Sequence, residues 1–270
     1  MSTVLACSIS ANPHDEFVRG STLPFHRRMR QGFTLDHAAT KHEMNQELNI
    51  RQALDWLGAA DPLIGRAIER TADHMGPFRT GLANAPSPFQ ALLKAIIYQQ
   101  LSGKAALSIY QRVCALTPNS RPPGPTVVLA TSEAALRAAG MSLAKIAAAK
   151  DLAAKAKSRR LPGRTRLLAM SDDEIIQRLT EIRGVGPWTA QMLLIFNLGR
   201  LDVLPATDLG IRKGFHRIFC DTTDTAIEPK GAARTLPTAN AIIAHGARWH
   251  PYRSIAAWYL WRADQPMPPT

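Results

Sequence analysis

One aspartate stands where a helix is predicted to begin, a position that favours a charged carboxylate. Pro205 fixes an extended approach to Thr207 and Asp208, and the apolar spacing that follows predicts a helix starting at one of these two residues. The dipole of such a helix stabilises an ionised carboxylate in its first turn, typically by roughly 0.3–1 kcal/mol. Asp208 is therefore predicted to present a fixed negative charge. The alternative is that it only caps its own helix.

Upstream of this aspartate, two glycines separated by one residue interrupt the helical pattern. Arg183-Gly184-Val185-Gly186 is followed by Pro187, which is favoured at the first position of a helix. The glycines permit a tight hairpin and a close backbone approach to a ligand. Backbone amides at such a hairpin and at the following helix start form a site for a phosphate, so DNA contact is predicted. A plain turn between two helices is the alternative.

The segments around the hairpin carry the signals of two helices. Ser171 and Glu174 form a capping box, and apolar residues on one face follow it up to the hairpin. A second helix is predicted from Trp188 to Leu198. Caps and apolar spacing together therefore predict a helix-hairpin-helix arrangement.

The rest of the chain is also helical in pattern. Helical spacing begins at Asn45, a second helix opens at Pro62, and two helices are predicted to meet at Gln99–Gly103. Ser142 is predicted to cap a lysine-rich helix that runs to about Lys157. Alternating β-branched runs of strand length do not occur, so we predict an all-α fold.

Composition sets the broad class. The chain has 270 residues, 46% of them hydrophobic, which suits one large or two small domains and excludes disorder throughout. The formal net charge of +12 favours an anionic partner, most commonly nucleic acid. We expect no membrane segment, because polar residues break every long apolar run. Three cysteines are too few for a four-cysteine iron–sulfur cluster.

The domain organisation is predicted in three parts. Residues 1–43 lack sustained periodicity and are interpreted as a flexible basic N-terminal tail. Residues 44–265 are predicted to form the helical domain, in two helical subdomains, and residues 266–270 a C-terminal tail.

Four sequence blocks resemble the helix-hairpin-helix, Gly/Pro-Asp superfamily of DNA glycosylases, and more narrowly its 3-methyladenine DNA glycosylase II branch. The blocks occur in the family's order within residues 50–262: Tyr98–Ala106, Ile182–Ala190, Asp202–Asp208, and Trp249–Ser254 leading to Tyr259–Arg262. The resemblance implies a two-lobed helical fold with the active-site cleft between the lobes. It also implies excision of alkylated purines, of the 3-methyladenine and 7-methylguanine type, in base excision repair.

The resemblance assigns the catalytic role to Asp208, which matches the aspartate that closes the family's Pro-x-x-Asp segment. The preceding position, often acidic in the family, is Thr207 here. Bifunctional relatives carry a nucleophilic lysine where this chain has Trp188. Schiff-base chemistry and strand cleavage are therefore not expected, because the amine is absent.

The same resemblance implies three groups of binding residues. The base pocket is expected to use the aromatic side chains of Trp188, Trp261 and Tyr98, whereas Trp249 and Trp258 are interpreted as core residues. Gln100 or Leu101 is expected to be the minor-groove wedge that fills the gap left by a flipped nucleotide. The DNA-binding hairpin comprises Arg183, Gly184, Val185, Gly186 and Thr189.

The expected partner is double-stranded DNA that contains alkylated bases, bound by a monomer. No cofactor is expected to be required, and no metal site made of side chains; a monovalent cation on the backbone carbonyls around 183–186 is optional in the family. The lysine- and arginine-rich stretch 145–160 is interpreted as a solvated helix face that attracts phosphate non-specifically. The location is expected to be the cytoplasm and nucleoid in a bacterium, or the nucleus in a eukaryote.

Two other functions fit parts of the pattern. One is a non-catalytic helix-hairpin-helix protein that binds damaged DNA, which would not depend on Asp208. The other is a glycosylase for deaminated or oxidised bases, which needs a pocket for a neutral base.

Overall fold

The computed structural model describes residues 37–72, 78, 85–220 and 236–263. These residues form helices and connecting loops without a strand, which confirms the predicted all-α fold. None of the helices in these ranges is both long and apolar enough to cross a membrane. The first helix begins at His37, so residues 37–43, predicted as part of the tail, are helical. Residues 1–36 and the C-terminal tail 266–270 lie outside the described residues.

The chain divides into two compact units, of which the first contains the described residues 85–199 and the second contains 37–72, 78, 200–220 and 236–263. In chain order the α-helices are α1 (His37–Ala60), α2 (Pro62–Ala72), α3 (Pro88–Tyr98), α4 (Gly103–Ala115), α5 (Pro125–Ala130), α6 (Glu133–Ala138), α7 (Leu143–Lys157), α8 (Arg164–Leu168), α9 (Asp172–Thr180), α10 (Pro187–Met192), α11 (Leu209–Phe219), α12 (Ala239–Gly246) and α13 (Arg253–Ala263).

Helix α7 is the centre of the first unit and packs against α3, α5 and α6. Its buried face consists of small and aliphatic side chains, Ile146, Ala148, Ala149, Leu152 and Ala153. The side chain of Ser142 accepts a hydrogen bond from the amide of Lys145, so the predicted cap is confirmed. The predicted capping box of Ser171 and Glu174 at the start of α9 is also confirmed.

The helix predicted from Trp188 to Leu198 is not continuous. Regular α10 ends at Met192, and a π-helical turn covers Leu193–Asn197. Asn197 lies inside this turn, is 2% exposed, and donates from its side-chain amide to the carbonyl of Pro86 over 2.9 Å. Because a buried amide needs hydrogen-bond partners, this contact stabilises the departure from α-helical geometry.

In the second unit, α11 and α13 approach each other closely. A Cβ atom on Gly214 would overlap the backbone carbonyl of Leu260, so this crossing requires glycine. Trp249 and Trp258 are 0% and 3% exposed, which confirms their prediction as core residues. The core thus brings α13 directly against the helix that begins after Asp208.

A buried carboxylate anchors the helices of the second unit to one another. Asp61, which is 3% exposed, accepts from the indole N–H of Trp249 over 2.9 Å and lies 2.8 Å from Nε2 of His245. It also accepts from the amide of Leu63 at the start of α2 over 3.2 Å. Buried polar oxygens need hydrogen-bond partners, and these contacts supply them. The sequence pattern gave no signal for this cluster, because its members are far apart along the chain.

Candidate active site and nucleic-acid interface

Asp208 is the N-cap residue of α11 and is half-buried. Its Oδ1 atom accepts two hydrogen bonds, from the amide of Ile211 over 2.9 Å and from the indole N–H of Trp261 over 2.8 Å. Asp208 therefore does cap its own helix, as the alternative interpretation held, and the capping bond also fixes the orientation of its carboxylate. Both donors and the positive end of the helix dipole favour the ionised form.

The loop that leads to Asp208 is tied at its beginning to the start of α13. The carboxylate of Asp202 accepts from Nε of Arg253 over 2.7 Å and from its terminal nitrogen over 2.8 Å, and it lies 2.6 Å from Nδ1 of His250. Ser254 accepts from the amide of Val203 over 2.9 Å. These contacts join two of the sequence blocks that carry the family resemblance, so the blocks are neighbours in space as well as signals in sequence.

The electrostatics of Asp202 follow from these contacts. Partial burial alone raises the pKa of the Asp202 carboxyl, but the hydrogen bonds from Arg253 and His250 outweigh it, and the pKa lies below its ordinary value of 3.8. The Asp202–Arg253 pair therefore stays charged at neutral pH and holds the approach to Asp208. His250 contacts this pair through Asp202.

Trp261 is fully buried, and its indole N–H donates to Asp208. Gly210 makes room for this contact: an added Cβ there would lie 2.9 Å from Cδ1 of Trp261 and 3.1 Å from Oδ1 of Asp208. The structure thus shows Trp261 as a support for the carboxylate. Its predicted stacking role toward a base stays a prediction.

The other two predicted pocket residues, Trp188 and Tyr98, belong to the first unit and are half-buried. The ring of Tyr98 meets Tyr110 edge-on, with centroids 6.3 Å apart, and Nζ of Lys94 lies 5.2 Å from the Tyr98 centroid. Trp188 occupies the first turn of α10, directly after the hairpin. That Trp188 and Tyr98 contact a flipped base stays a prediction.

The predicted hairpin lies between α9 and α10 and has an exposed backbone. Gly184 has a φ of +75°, a conformation that favours glycine, and Gly186 is the N-cap of α10 without a side chain to cap its first amides. Arg183 is exposed, whereas Val185 and Thr189 are each 4% exposed. Any contact that Val185 or Thr189 makes with DNA therefore has to come from the main chain.

The predicted wedge lies in the turn between α3 and α4. Gln100 is exposed at its tip with a φ of +56°, and Leu101 is half-buried beside it. A left-handed conformation in a residue other than glycine is costly, and such residues concentrate at functional sites. Gln99 donates from its side chain to the carbonyl of Gly184 over 2.8 Å, which ties this turn to the hairpin.

The basic stretch 145–160 differs in part from its interpretation as a solvated face. Three of its ammonium groups have protein partners. Lys145 donates to the carbonyls of Ile97 and Gln99, and Lys150 donates to those of Leu129 and Thr131. Lys155 donates to the carboxylate of Asp151. Lys157, Arg159 and Arg160 are exposed. Apolar spacing identifies a helix face but not the partners of long side chains, which is why these contacts were not predicted.

The part of the chain that the structure describes contains no side-chain cluster suited to metal binding and no disulfide. There, no three His, Cys, Asp or Glu side chains lie together as a metal site would need. Cys114 and Cys220 are free cysteines, one buried and one exposed.

Comparison with known proteins places the chain in a family. Residues 93–236 match the HhH-GPD superfamily of base excision DNA repair proteins, and the chain belongs to this family. It is 36% identical over 181 residues to DNA-3-methyladenine glycosylase 1 of Schizosaccharomyces pombe, covering 66% of this chain and 73% of that protein. The family resemblance predicted from the four sequence blocks is thus confirmed.

Solved structures agree with this assignment. The fold is similar to that of the Schizosaccharomyces pombe 3-methyladenine DNA glycosylase Mag1 in complex with abasic DNA, with a TM-score of 0.67, 31% identity, and coverage of 80% of this chain and 100% of that one. It is also similar to a DNA-3-methyladenine glycosidase from Bacillus halodurans, with a TM-score of 0.63, 33% identity, and coverage of 78% and 88%.

Proposed function

We propose that this protein is a monofunctional DNA-3-methyladenine glycosylase, which flips an alkylated purine out of duplex DNA and hydrolyses its N-glycosidic bond. The observation that carries the proposal is Asp208, held at the start of α11 by the Ile211 amide and the Trp261 indole. The sequence resemblance assigns Asp208 the role of the family's catalytic aspartate. The chain belongs to a base-excision family, and similar members of it bear the name 3-methyladenine glycosylase.

The chemistry asks for a fixed anion. An alkylated purine such as 3-methyladenine carries a positive charge, so its glycosidic bond is already weak. As the bond between the sugar C1′ and the purine breaks, its electron pair leaves with the base and the sugar becomes oxocarbenium-like. Asp208 stabilises that positive charge and orients the water that attacks C1′. The proton that this water loses passes to the Asp208 carboxylate or to solvent, which leaves a hydroxyl on C1′.

Base recognition calls for electron-rich rings near the flipped nucleotide. Flipping costs a few kcal/mol, and an aromatic face attracts a cationic base by about 0.5–2 kcal/mol. Trp188 and Tyr98 are our candidates for these rings because they are half-buried aromatic side chains at the family's pocket positions. Trp261 contributes through Asp208.

Trp188 also supports a reaction without strand cleavage. Trp188 stands at the position where bifunctional relatives have a lysine nucleophile, and an indole cannot form a Schiff base. We therefore expect borohydride to trap no covalent complex between this protein and abasic or alkylated DNA.

DNA binding is assigned to the hairpin 183–186 and the turn around Gln100. The exposed backbone of the hairpin suits a phosphate, and the net charge of +12 provides long-range attraction. The optional monovalent cation would bind hairpin carbonyls, of which that of Gly184 already accepts from Gln99. No step above uses a cation.

Asp208→Asn tests the proposal because asparagine caps helices as well as aspartate does but carries no charge. We expect base release from methylated DNA, measured by liquid chromatography, to fall by about 100-fold or more, with duplex binding and melting temperature close to wild type. Release at the wild-type rate by this variant would exclude the assigned role.

Two outcomes would favour the other functions. A wild-type protein that binds methylated duplex but frees no base is a damage-binding protein. Faster release from duplexes that contain hypoxanthine or 8-oxoguanine than from methylated DNA indicates a glycosylase for deaminated or oxidised bases.

A further inference from the structure

Three residues on one face of α7 contact the two loops that the proposed function assigns to DNA. Lys145, Ala148 and Asp151 follow each other at three-residue spacing, so their side chains project from the same side of the helix. Lys145 contacts the wedge turn, defined here as Gln99–Ser102. Ala148 and Asp151 contact the hairpin 183–186.

Lys145 supports the end of α3 from which the wedge turn departs. Its ammonium donates to the carbonyls of Ile97 and Gln99, both over 2.7 Å. Carbonyls in the last turn of a helix lack partners within the helix and carry the negative end of its dipole, so a cation stabilises them. Partial burial lowers the pKa of Lys145, as expected for an ammonium that has exchanged water for these two carbonyls.

Ala148 and Asp151 support the hairpin. A Cβ atom on Gly184 would lie 3.1 Å from Cβ of Ala148, so the hairpin backbone rests directly on α7. Asp151 accepts from the amide of Arg183 over 2.8 Å, and Lys155 on the same helix neutralises this carboxylate at 2.6 Å. The acid is thus paired, which limits its repulsion of a phosphate near the hairpin.

Gln99 closes the arrangement. Its side chain belongs to the wedge turn and donates to Gly184 of the hairpin over 2.8 Å, while its own carbonyl accepts from Lys145. The wedge turn and the hairpin are therefore linked twice, once directly and once through α7.

We propose that this face of α7 is a positioning surface that fixes the wedge turn relative to the hairpin. The hairpin can then bind the phosphates while the wedge turn is held in the position from which it enters the base stack. The inference rests on the proposed function of these two loops. We assign Lys145, Ala148, Asp151 and Gln99 a positioning role and not a catalytic one. They act through the loops that they hold.

Lys145→Met is the central test because it removes both hydrogen bonds but keeps most of the side chain's length. We expect release of 3-methyladenine from a fully paired duplex to fall about 10-fold or more, since two bonds to an ionised group are lost. The control is Arg137→Met, which removes one positive charge from an exposed site on α6 of the same unit, outside the basic stretch 145–160. We expect it to stay within about 2-fold of wild type, because a screened surface charge contributes little.

A second substrate separates positioning from general damage to the fold. The same alkylated base is placed opposite a mismatched base, where it is already partly unstacked and costs less to flip. We expect Lys145→Met to recover most of its rate on this substrate. Equal losses on the paired and mismatched duplexes would overturn the proposal, and so would a loss of release no greater than that of Arg137→Met.

Gln99→Ala provides a variant that leaves the ammonium of Lys145 in place. It should show the same preference for the mismatched substrate, and its effect should be less than additive with that of Lys145→Met, because both act on one turn. Additive effects would overturn the link between the two loops. The proposed function fails separately, if the wild-type protein frees no base from either duplex.

Discussion

The indole N–H of Trp261 donates to Oδ1 of Asp208 over 2.8 Å, and the two residues are 53 positions apart in sequence. The same oxygen also caps α11 by accepting from the amide of Ile211. One donor is thus local and set by the helix start, whereas the other is brought by α13. Together they leave the carboxylate little rotational freedom, as a fixed catalytic charge requires.

Trp261→Phe tests the contribution of the second donor. The ring remains but its N–H is lost, so we expect base release to fall about 10-fold while the affinity for undamaged duplex stays unchanged. The smaller ring should also lower the free energy of unfolding by about 1–3 kcal/mol. Release under single-turnover conditions and urea denaturation measure the two effects.

The matched control is Trp258→Phe, because Trp258 is a buried core residue on the same helix that packs edge-on against Phe78 at 5.8 Å. It should lose similar stability without the loss in release. Equal rates for the two variants would contradict the role given to the Trp261 N–H.

Gly210→Ala should disturb the same pair by steric overlap. The new Cβ would lie 2.9 Å from Cδ1 of Trp261, closer than a carbon contact allows, so the indole or the carboxylate must shift. We expect a loss of base release of about 10-fold, and Gly163→Ala, where an added Cβ meets nothing within 4 Å, should be neutral. In an NMR spectrum, the indole proton of Trp261 should move only in the Gly210 variant.

A double-mutant cycle shows whether Gly210 acts through Trp261. In a Trp261→Phe background the hydrogen bond is already absent, so Gly210→Ala should add little to the loss of release. Two fully additive losses would mean that the glycine matters for another reason.

The sequence predicts one side of this site well and the other side poorly. Pro205 and the apolar spacing after it place a helix start at Thr207 or Asp208, and the structure puts the cap on Asp208. Local rules suffice there because capping depends on neighbours along the chain. The hydrogen bond with Trp261 depends on how closely α11 approaches α13. Gly210 and Gly214 permit that close approach, but their role becomes visible only once the two helices are packed together.

The lysines of α7 illustrate the same limit. Their spacing predicts an outward helix face, yet Lys145 and Lys150 reach carbonyls at the ends of other helices. Long flexible side chains reach partners that helical periodicity does not encode. The π-helical turn at Leu193–Asn197 is likewise not predicted by local spacing, and its Asn197 is bonded to the carbonyl of Pro86, which lies 111 positions away in sequence.

The Asp202–Arg253 pair predicts a pH-dependent stability. The folded-state pKa of Asp202 is lowered, so its contribution is fully present above the ordinary value of 3.8 and is lost as pH falls through the folded value. The difference in free energy of unfolding between wild type and Asp202→Asn should therefore be largest near neutral pH and shrink below about pH 4. Urea denaturation at several pH values measures it.

Glu181→Gln serves as the control for this series, because Glu181 is an exposed carboxylate in the other unit. Its difference from wild type should stay small throughout. If the difference in free energy of unfolding between wild type and Asp202→Asn stayed constant down to acidic pH, the pair with Arg253 would not be what lowers the pKa of Asp202.

Gln100→Gly should separate stability from activity. Gln100 holds a φ of +56°, which glycine adopts without steric cost, so the free energy of unfolding should stay unchanged or rise by up to about 1 kcal/mol. The same change removes the side chain proposed to enter the base stack, and release from a paired duplex should fall. Asn119→Gly is the matched control, since Asn119 also has a positive φ, +62°, in an exposed turn. It should gain similar stability and keep full activity, whereas a fully active Gln100→Gly would remove Gln100 from the wedge.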